Sequence, residues 1–246
     1  MMPFDVTFIL LLLSSILAGG LDATVGGGGF VLIPFLVFLG SPIQLAIGTS
    51  RVIFLMDSFS AVVGHARKRS IDYKIAFCYS IPALLGAPIG AHITSVSSPE
   101  TISKIFGFFM LAMLFLIASK PNFGLKNRKS RGLIPSLLAG FFIGFMIGLL
   151  GGGVGVLIII ALVFISGTTV LLASGTSQVI VWITNIVALV AYYSKGLVDL
   201  KLGLILGVMA IIGAQLGVIV AHKVGNRWLR ILLIVITITA AIKLLA

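Results

Sequence analysis

The chain has 246 residues, of which 59% are hydrophobic and 9% charged, and this composition excludes an ordinary soluble globular domain. A formal net charge of +11 would favour nucleic-acid binding in a soluble chain, but the lysines and arginines lie mostly in short breaks between apolar blocks. The pattern predicts a multi-pass protein of the lipid bilayer. It predicts no nucleic-acid partner, because no basic stretch accompanies a surface on which bases would stack.

The first half begins with two apolar segments on either side of a glycine-rich break. Residues 6 to 21 are apolar, residues 22 to 29 form the break, and residues 30 to 39 are apolar again. Each arm is shorter than the ~20 residues of an ordinary membrane-spanning helix, so we predict a helical hairpin that is broken inside the membrane. Three longer apolar blocks follow, at residues 43 to 64, 71 to 93 and 101 to 118.

A basic linker, residues 120 to 132, separates a first membrane repeat, residues 1 to 119, from a second, residues 133 to 246. The second repeat contains the same series of segments. Its hairpin consists of residues 134 to 150 and 154 to 166, and its three spans are residues 169 to 193, 198 to 222 and 228 to 246. The predicted fold class is therefore an all-α transmembrane helical bundle of two homologous halves, with eight to ten membrane segments.

The two repeats align when the first is shifted by 127 residues. This shift places Gly48-Thr49-Ser50 on Gly175-Thr176-Ser177 and Asp72 on Asp199. The glycine runs of the two hairpins correspond after a further shift of about two residues. Such a match over a whole half predicts an internal duplication.

The distribution of positive charge predicts that the two repeats are inverted relative to each other. The loop at residues 67 to 69 is basic and its counterpart at 194 to 196 has one lysine, whereas the turn at 94 to 99 has no lysine or arginine and its counterpart at 222 to 230 has three. Basic loops stay on the cytoplasmic side, so this exchange fits opposite orientations. The alternative, with residues 6 to 39 as one long span, gives eight helices in parallel halves.

The glycine-rich breaks and the Gly-Thr-Ser segments reach similar depths. From the turn at Gly40, the arm back to Gly29 and the helix forward to Ser50 each extend about 12–16 Å, close to the middle of a ~30 Å hydrocarbon core. A helix that restarts there would present free N–H groups and its positive dipole end to an anion, whereas the alternative is that the glycines allow close helix packing. The predicted substrate-binding residues are Gly27, Gly28, Gly29, Thr49, Ser50, Arg51, Gly152, Gly153, Thr176, Ser177, Gln178 and Asn185.

Arg51 is a charged residue inside an apolar block, so it must face a partner or a water-filled cavity. We consider two roles for it, namely bidentate binding of a sulfonate or carboxylate and an ion pair with Asp57. Asp57 and Asp22 are also candidates for proton coupling, although capping of the hairpin backbone is the favoured role of Asp22. Asp72 and Asp199 begin helices and are predicted to cap them.

The other polar residues predict no cofactor and no metal site. His65, His92 and His222 are scattered near the ends of spans and form no ligand set in the sequence. Tyr192 and Tyr193 are predicted to anchor the membrane interface. No nucleophile and base occur at a recognisable spacing, which argues against an intramembrane enzyme.

The order of these motifs resembles the sulfite exporter TauE/SafE family over essentially the whole chain. The resemblance is carried by Gly26-Gly27-Gly28-Gly29 with Pro34, by Gly48-Thr49-Ser50, by the turn at Asp72, by the segment from Gly86 to Ala91, and by their counterparts in the second half. It implies transport of a sulfur-containing anion, such as sulfite, thiosulfate or an organosulfonate, coupled to the proton gradient. Arg51 stands where we expect an apolar residue in the family pattern, and Gln215 stands where the first half has Pro88, which leaves the substrate open.

The predicted function is secondary transport by alternating access across the cytoplasmic membrane of a prokaryote. The predicted partners are a small-molecule anion and the lipid bilayer, and the sequence leaves open whether the protein forms a homodimer. A transporter or channel for another small anion, and a transporter for a cation or a neutral solute, are the alternatives.

Overall fold

The computed structural model describes residues 6–118 and 132–245, with side chains described for residues 6–109, 112, 132–224 and 231. The predicted basic linker therefore lies outside the described residues apart from Gly132. The described chain is all-helical. Its helices are α1 (Val6–Val25), α2 (Gly29–Phe38), α3 (Ile43–Arg67), α4 (Tyr73–Val96), α5 (Pro99–Ala118), α6 (Leu133–Leu150), α7 (Val154–Phe164), α8 (Val170–Tyr193) and α9 (Leu200–Leu245).

Six of the described helices are long and apolar enough to cross a membrane, which confirms the prediction of a multi-pass helical protein. They are α1, α3, α4, α6, α8 and the part of α9 from Leu200 to Val224. Helices α2 and α7 have 10 and 11 residues, so each is only about 15 Å long and reaches half-way through a bilayer.

The first arm of each hairpin is longer than the sequence predicted. Helix α1 has 20 residues and α6 has 18, so each is about 27–30 Å long and is not too short for a span. The helix continues through Asp22 to Val25, which narrows the first break to residues 26 to 28. A single acidic residue does not end a helix, because the backbone hydrogen bonds continue past it.

The second repeat differs from the first in its last segment. Two spans joined by a turn at residues 222 to 230 were expected, but α9 runs without interruption from Leu200 to Leu245. The equivalent turn of the first repeat precedes Pro99, which has no backbone N–H to donate and disfavours helix in the residue before it. The second repeat has Asn226 at that position, so nothing forces the helix to end.

The first arm of each hairpin packs against the fourth helix of the other repeat. A Cβ atom at Gly144 of α6 would overlap the backbone of Ala83 in α4, and a Cβ atom at Gly213 of α9 would overlap the backbone of Ile16 in α1. These close approaches show that spaced glycines in the spans serve helix packing.

Several contacts between the repeats occur in equivalent pairs. The backbone N–H of Asp72 donates to Thr176 Oγ1 at 3.0 Å, and the backbone N–H of Asp199 donates to Thr49 Oγ1 at the same distance. Residue 72 corresponds to 199 and residue 49 to 176, so the second contact is the first with the repeats exchanged. Reciprocal contacts of this kind are those that a pseudo-twofold axis between the repeats produces.

Candidate functional site

The two glycine-rich breaks form turns that require glycine. Gly26, at the end of α1, has a φ of 74°, and Gly151 and Gly153, on either side of the second break, have φ values of 83° and 75°. These angles lie in the left-handed region, where a side chain is strained. We call residues 26–29 the first tip and residues 151–155 the second tip.

The two tips contact each other directly, backbone against backbone. A Cβ atom at Gly29 would overlap the backbone of Gly152, and a Cβ atom at Gly26 would overlap the backbone of Gly155. The glycines at these positions therefore serve close packing, which was the alternative interpretation of the sequence. A solute cannot fit between Gly29 and Gly152, so any binding site lies beside the contact.

The amide groups at the start of α2 are less available than the sequence suggested. The N–H groups of Phe30 and Val31 donate to the carbonyls of Gly27 and Gly28, each at 3.1 Å. The carboxylate of Asp22 interacts with the backbone of Gly28, in keeping with its predicted capping role. The restarted helix does not offer a row of free N–H groups here, because short turn bonds and Asp22 already satisfy them.

The hydroxyl groups of the two Gly-Thr-Ser segments mainly hold the structure together. Thr49 and Thr176 accept the reciprocal hydrogen bonds described above. Ser50 donates to the carbonyl of Ile47 and Ser177 to that of Ser174, each at 2.7 Å within its own helix. The hydroxyl hydrogens of both serines are thus already used.

Arg51 is fully buried and only partly satisfied. Its Nη1 atom donates to Asn185 Oδ1 at 2.9 Å, whereas Nε and Nη2 have no hydrogen-bond partner. Nε and Nη2 form one edge of the planar guanidinium, so the free donors point in one direction as a fork. Nη2 lies against the second tip, 2.6 Å from the position that a Cβ of Gly151 would occupy.

Two further groups complete the surroundings of Arg51. The guanidinium carbon lies 5.5 Å from the centre of the Tyr192 ring, and the Tyr192 hydroxyl donates to the carbonyl of Gly148 at 2.7 Å. The Nδ2 group of Asn185 has no partner. Buried N–H groups on Arg51 and Asn185 therefore stand unpaired beside the second tip. We call Arg51, Asn185 and Tyr192 the basic cluster.

A second cluster of opposite charge lies beside the first tip. Gln178 donates from Nε2 to the backbone carbonyl of Asp22 at 2.7 Å. Both oxygens of Asp57, together with Asp22 Oδ2, are buried without a hydrogen-bond partner. Asp57 and Asp22 are near enough to interact electrostatically. We call Asp22, Asp57 and Gln178 the acidic cluster.

Arg51 and Asp57 do not form the ion pair that was one of the two expected roles for them. Arg51 bonds to Asn185 instead, and neither oxygen of Asp57 has a partner. The two residues are six positions apart on the continuous helix α3, and side chains six apart do not share a helix face.

Tyr192 is not the membrane-interface anchor that was predicted. Tyr193 is 59% exposed, as an interface anchor should be, but Tyr192 is only 1% exposed and belongs to the basic cluster. Both faces of a membrane helix are apolar, so hydrophobicity did not show which tyrosine points inward. The sequence did contain one signal. By the 127-residue shift, Tyr192 corresponds to His65, so both repeats have a hydrogen-bonding side chain at this position.

Within the described residues, no three His, Cys, Asp or Glu side chains come together to hold a metal ion. The predicted caps are confirmed, since Asp72 Oδ1 accepts from the N–H of Ile75 at 3.0 Å and Asp199 Oδ1 from that of Leu202 at 2.9 Å.

Residues 11–244 match the model of a protein family described as sulfite exporter TauE/SafE. The chain belongs to this family. Among TauE/SafE relatives, a probable membrane transporter protein of Sinorhizobium sp is 29% identical, and the match covers 96% of this chain and 91% of that protein. A probable membrane transporter protein of Methanocaldococcus jannaschii is 27% identical, with 92% of each chain covered.

A third relative, from Bacillus subtilis, is 24% identical over 97% of each chain and is also named a probable membrane transporter protein. No solved structure matches the chain. The TauE/SafE protein described here is thus a multi-pass membrane transporter and not an enzyme, as the sequence predicted.

Proposed function

We propose that this TauE/SafE protein carries a small sulfur-containing anion, such as sulfite, thiosulfate or an organosulfonate, across the cytoplasmic membrane of a prokaryote. The observation that carries the proposal is the free Nε and Nη2 edge of Arg51. Two parallel N–H donors match two oxygens of one oxyanion, which makes the interaction both strong and specific in direction.

The burial of Arg51 supports an anionic ligand. A charged side chain inside a membrane protein is strongly unfavourable unless it is paired, and the uncharged Asn185 Oδ1 is its hydrogen-bond acceptor here. An anion on the free edge would supply the missing charge. The unpaired Nδ2 group of Asn185 would donate a further hydrogen bond to the same ligand.

The acidic cluster supports proton coupling. Asp57 has two buried oxygens without hydrogen-bond partners, and Asp22 is close enough to interact with it electrostatically. A proton on Asp57 would remove a buried negative charge, and the anion would neutralise Arg51. Binding the proton and the anion together would therefore leave no unpaired charge on these two buried side chains. Membrane carboxylates of this kind commonly relay protons in transporters.

Inverted repeats would let the two halves rock about the tips in alternating access. The reciprocal Thr49 and Thr176 contacts support a pseudo-twofold relation. The exchange of basic residues between equivalent positions of the repeats supports an axis within the membrane plane, since each repeat then keeps positive charge on the same side, although those of the second repeat lie within α9 and not in a loop.

Uptake of radiolabelled sulfite or taurine into proteoliposomes tests the proposal. Wild-type protein should show saturable uptake, Arg51→Leu should abolish it, and Arg51→Lys should reduce affinity about 10-fold or more, because lysine keeps the charge but loses the fork. Arg67→Leu is the matched control, since Arg67 is an exposed arginine at the end of the same helix.

A cation transporter is the second candidate, favoured by the free oxygens of Asp57. It predicts thermal stabilisation of the purified protein by Na⁺ or K⁺ that depends on Asp57 and not on Arg51. Stabilisation by sulfite that persists in Arg51→Leu would contradict the anion site.

A further inference from the structure

Two histidines from opposite halves of the chain meet at one serine hydroxyl. His65 lies in the last turn of α3, His222 lies in α9, and Ser70 lies in the basic loop that follows α3. Ser70 Oγ is 2.9 Å from His65 Nδ1 and 3.0 Å from His222 Nε2, and the two imidazole rings are 5.2 Å apart between centres. His65 is fully buried, whereas His222 is partly exposed.

The outer nitrogen of each imidazole faces a backbone carbonyl, which determines its tautomer. His65 Nε2 lies 3.0 Å from the carbonyl of Ala23, and His222 Nδ1 lies 2.8 Å from that of Val218. A carbonyl oxygen only accepts hydrogen bonds, so both of these nitrogens carry hydrogen. In the neutral state, the nitrogens that face Ser70 are therefore bare.

The neutral histidines then leave too few hydrogens for the acceptors around Ser70 Oγ. The hydroxyl has a single hydrogen, and two bare imidazole nitrogens and the carbonyl of His65, at 3.2 Å, compete for it. One added proton resolves the shortage, because a protonated imidazole donates to Ser70 Oγ while the hydroxyl donates to the other imidazole. The network is complete with one shared proton and incomplete with none.

We infer that His65, Ser70 and His222 form a proton-binding site that relays one proton between the membrane surface and the carbonyl end of α1. A proton enters at the partly exposed His222. It then moves in a double transfer, in which His222 Nε2 gives its hydrogen to Ser70 Oγ while the hydroxyl hydrogen passes to His65 Nδ1. No other co-reactant is needed, and the reverse transfer restores the starting state.

The inner end of the relay joins the first hairpin. Ala23 lies in the last turn of α1, and its carbonyl also accepts a hydrogen bond from Ser174 at 3.0 Å. A cation beside the carbonyl end of a helix is stabilised by the helix dipole, which partly offsets the unfavourable burial of a charge on His65. The relay therefore ends one residue from Asp22, beside the first tip.

The charged groups on the surrounding elements divide into exposed cations and two carboxylates. The exposed cations repel a protonated imidazole, but water lies between them and screens this repulsion. The two carboxylates are Asp72, which caps α4, and Asp22, which lies in the same turn as Ala23. Helix α8 contributes no Asp, Glu, Lys, Arg or His. The cations are Arg67, Lys68 and Arg69 of the loop, Lys74 of α4 and Lys223 of α9.

The second repeat shows that the fold does not require a histidine at this position. Tyr192, which corresponds to His65, makes the equivalent bond to a carbonyl at the end of α6, and the residue that corresponds to Ser70 is Leu197. A tyrosine thus performs the structural role alone. The histidine pair adds proton binding to it in the first repeat only.

The chain has three histidines, so nitrogen NMR of ¹⁵N-histidine-labelled full-length protein in nanodiscs tests the inference directly. At high pH we expect His65 to carry its hydrogen on Nε2 and His222 on Nδ1. On lowering the pH from about 8 to 5, the pair should take up one shared proton rather than two. His92→Gln assigns the exposed histidine and serves as the control.

Ser70→Ala removes the bridge, and the titrations of His65 and His222 should both shift while that of His92 stays unchanged. The opposite tautomers in wild-type protein, or titrations of the pair that are identical with and without Ser70, would overturn the inference. If Ser70→Ala fails to fold, the tautomers of His65 and His222 in the wild-type protein still test the inference.

Discussion

Arg51 and Gln178 occupy equivalent positions in the two repeats, yet one helps to form a basic cluster and the other an acidic cluster. Asp57 of the acidic cluster likewise differs from its counterpart, which is the uncharged Thr184. In the predicted duplication, equivalent backbone positions thus carry side chains of different charge in the two repeats. Substitutions at these residues should separate anion binding from proton coupling.

Asp57→Asn should leave sulfite binding intact and remove the dependence of transport on a pH gradient, because the amide has no proton to gain. The measurement is the initial rate of sulfite uptake into proteoliposomes with and without an imposed gradient. Asp199→Asn is the control, since the side chain of Asp199 caps α9 and asparagine can accept the same hydrogen bond. An unchanged response to the gradient in Asp57→Asn would contradict the role of Asp57.

Tyr192→Phe should lower the free energy of unfolding by about 0.5–1.5 kcal/mol, because the buried carbonyl of Gly148 loses its side-chain donor. Thermal unfolding in detergent measures the change. Tyr193→Phe is the matched control, because Tyr193 is exposed and should tolerate the loss of its hydroxyl. Equal stability of the two variants would show that the Tyr192 bond contributes nothing.

At the scale of helices, the broken hairpins combine a full-length arm with a short one. The short arms α2 and α7 leave the two tips in contact near the centre of the bundle. Unbroken helices would place side chains where the tips now meet. The breaks thus allow two backbones to approach within packing distance, which is possible only where both lack a Cβ.

Gly29→Ala should destabilise the protein by about 1–3 kcal/mol, because its methyl group overlaps the backbone of Gly152, which has no side chain to move away. Gly64→Ala should have a smaller effect, since its methyl group meets side-chain atoms of Val218, the nearest at 3.1 Å, and no backbone atom among its nearest neighbours. Thermal unfolding of both variants in one detergent compares them. A smaller loss in Gly29→Ala than in Gly64→Ala would argue against rigid contact between the tips.

For the whole molecule, the proposed inverted arrangement predicts that equivalent loops face opposite sides of the membrane. Cys78 is the only cysteine, so Cys78→Ser gives a background for labelling. In that background, Lys68→Cys and Lys195→Cys should react with an impermeant maleimide from opposite sides, because both positions are exposed and correspond by the 127-residue shift. Reaction of both from the same side would establish parallel repeats.

Much of the architecture could be predicted because it depends on local sequence. Apolar block lengths indicated the membrane helices, glycine runs marked both breaks, and Asp72 and Asp199 marked helix starts. The predicted turn at residues 222 to 230 was wrong because the Lys and Arg residues there were taken for a turn, whereas a helix ends only where its hydrogen bonds cannot continue. The duplication, by contrast, was visible from spacing alone.

The sequence by itself determined the membrane class, the family, the duplication and the positions of the breaks, because these follow from composition and from residues close together in the chain. Only the tertiary structure decided that the tips touch, that Arg51 bonds to Asn185 rather than Asp57, and that His65 meets His222. The residues in each of these contacts lie more than 120 positions apart in the chain. Contacts over such separations depend on how the helices pack, and in lipid both faces of a helix are apolar, so hydrophobicity does not reveal which face is buried.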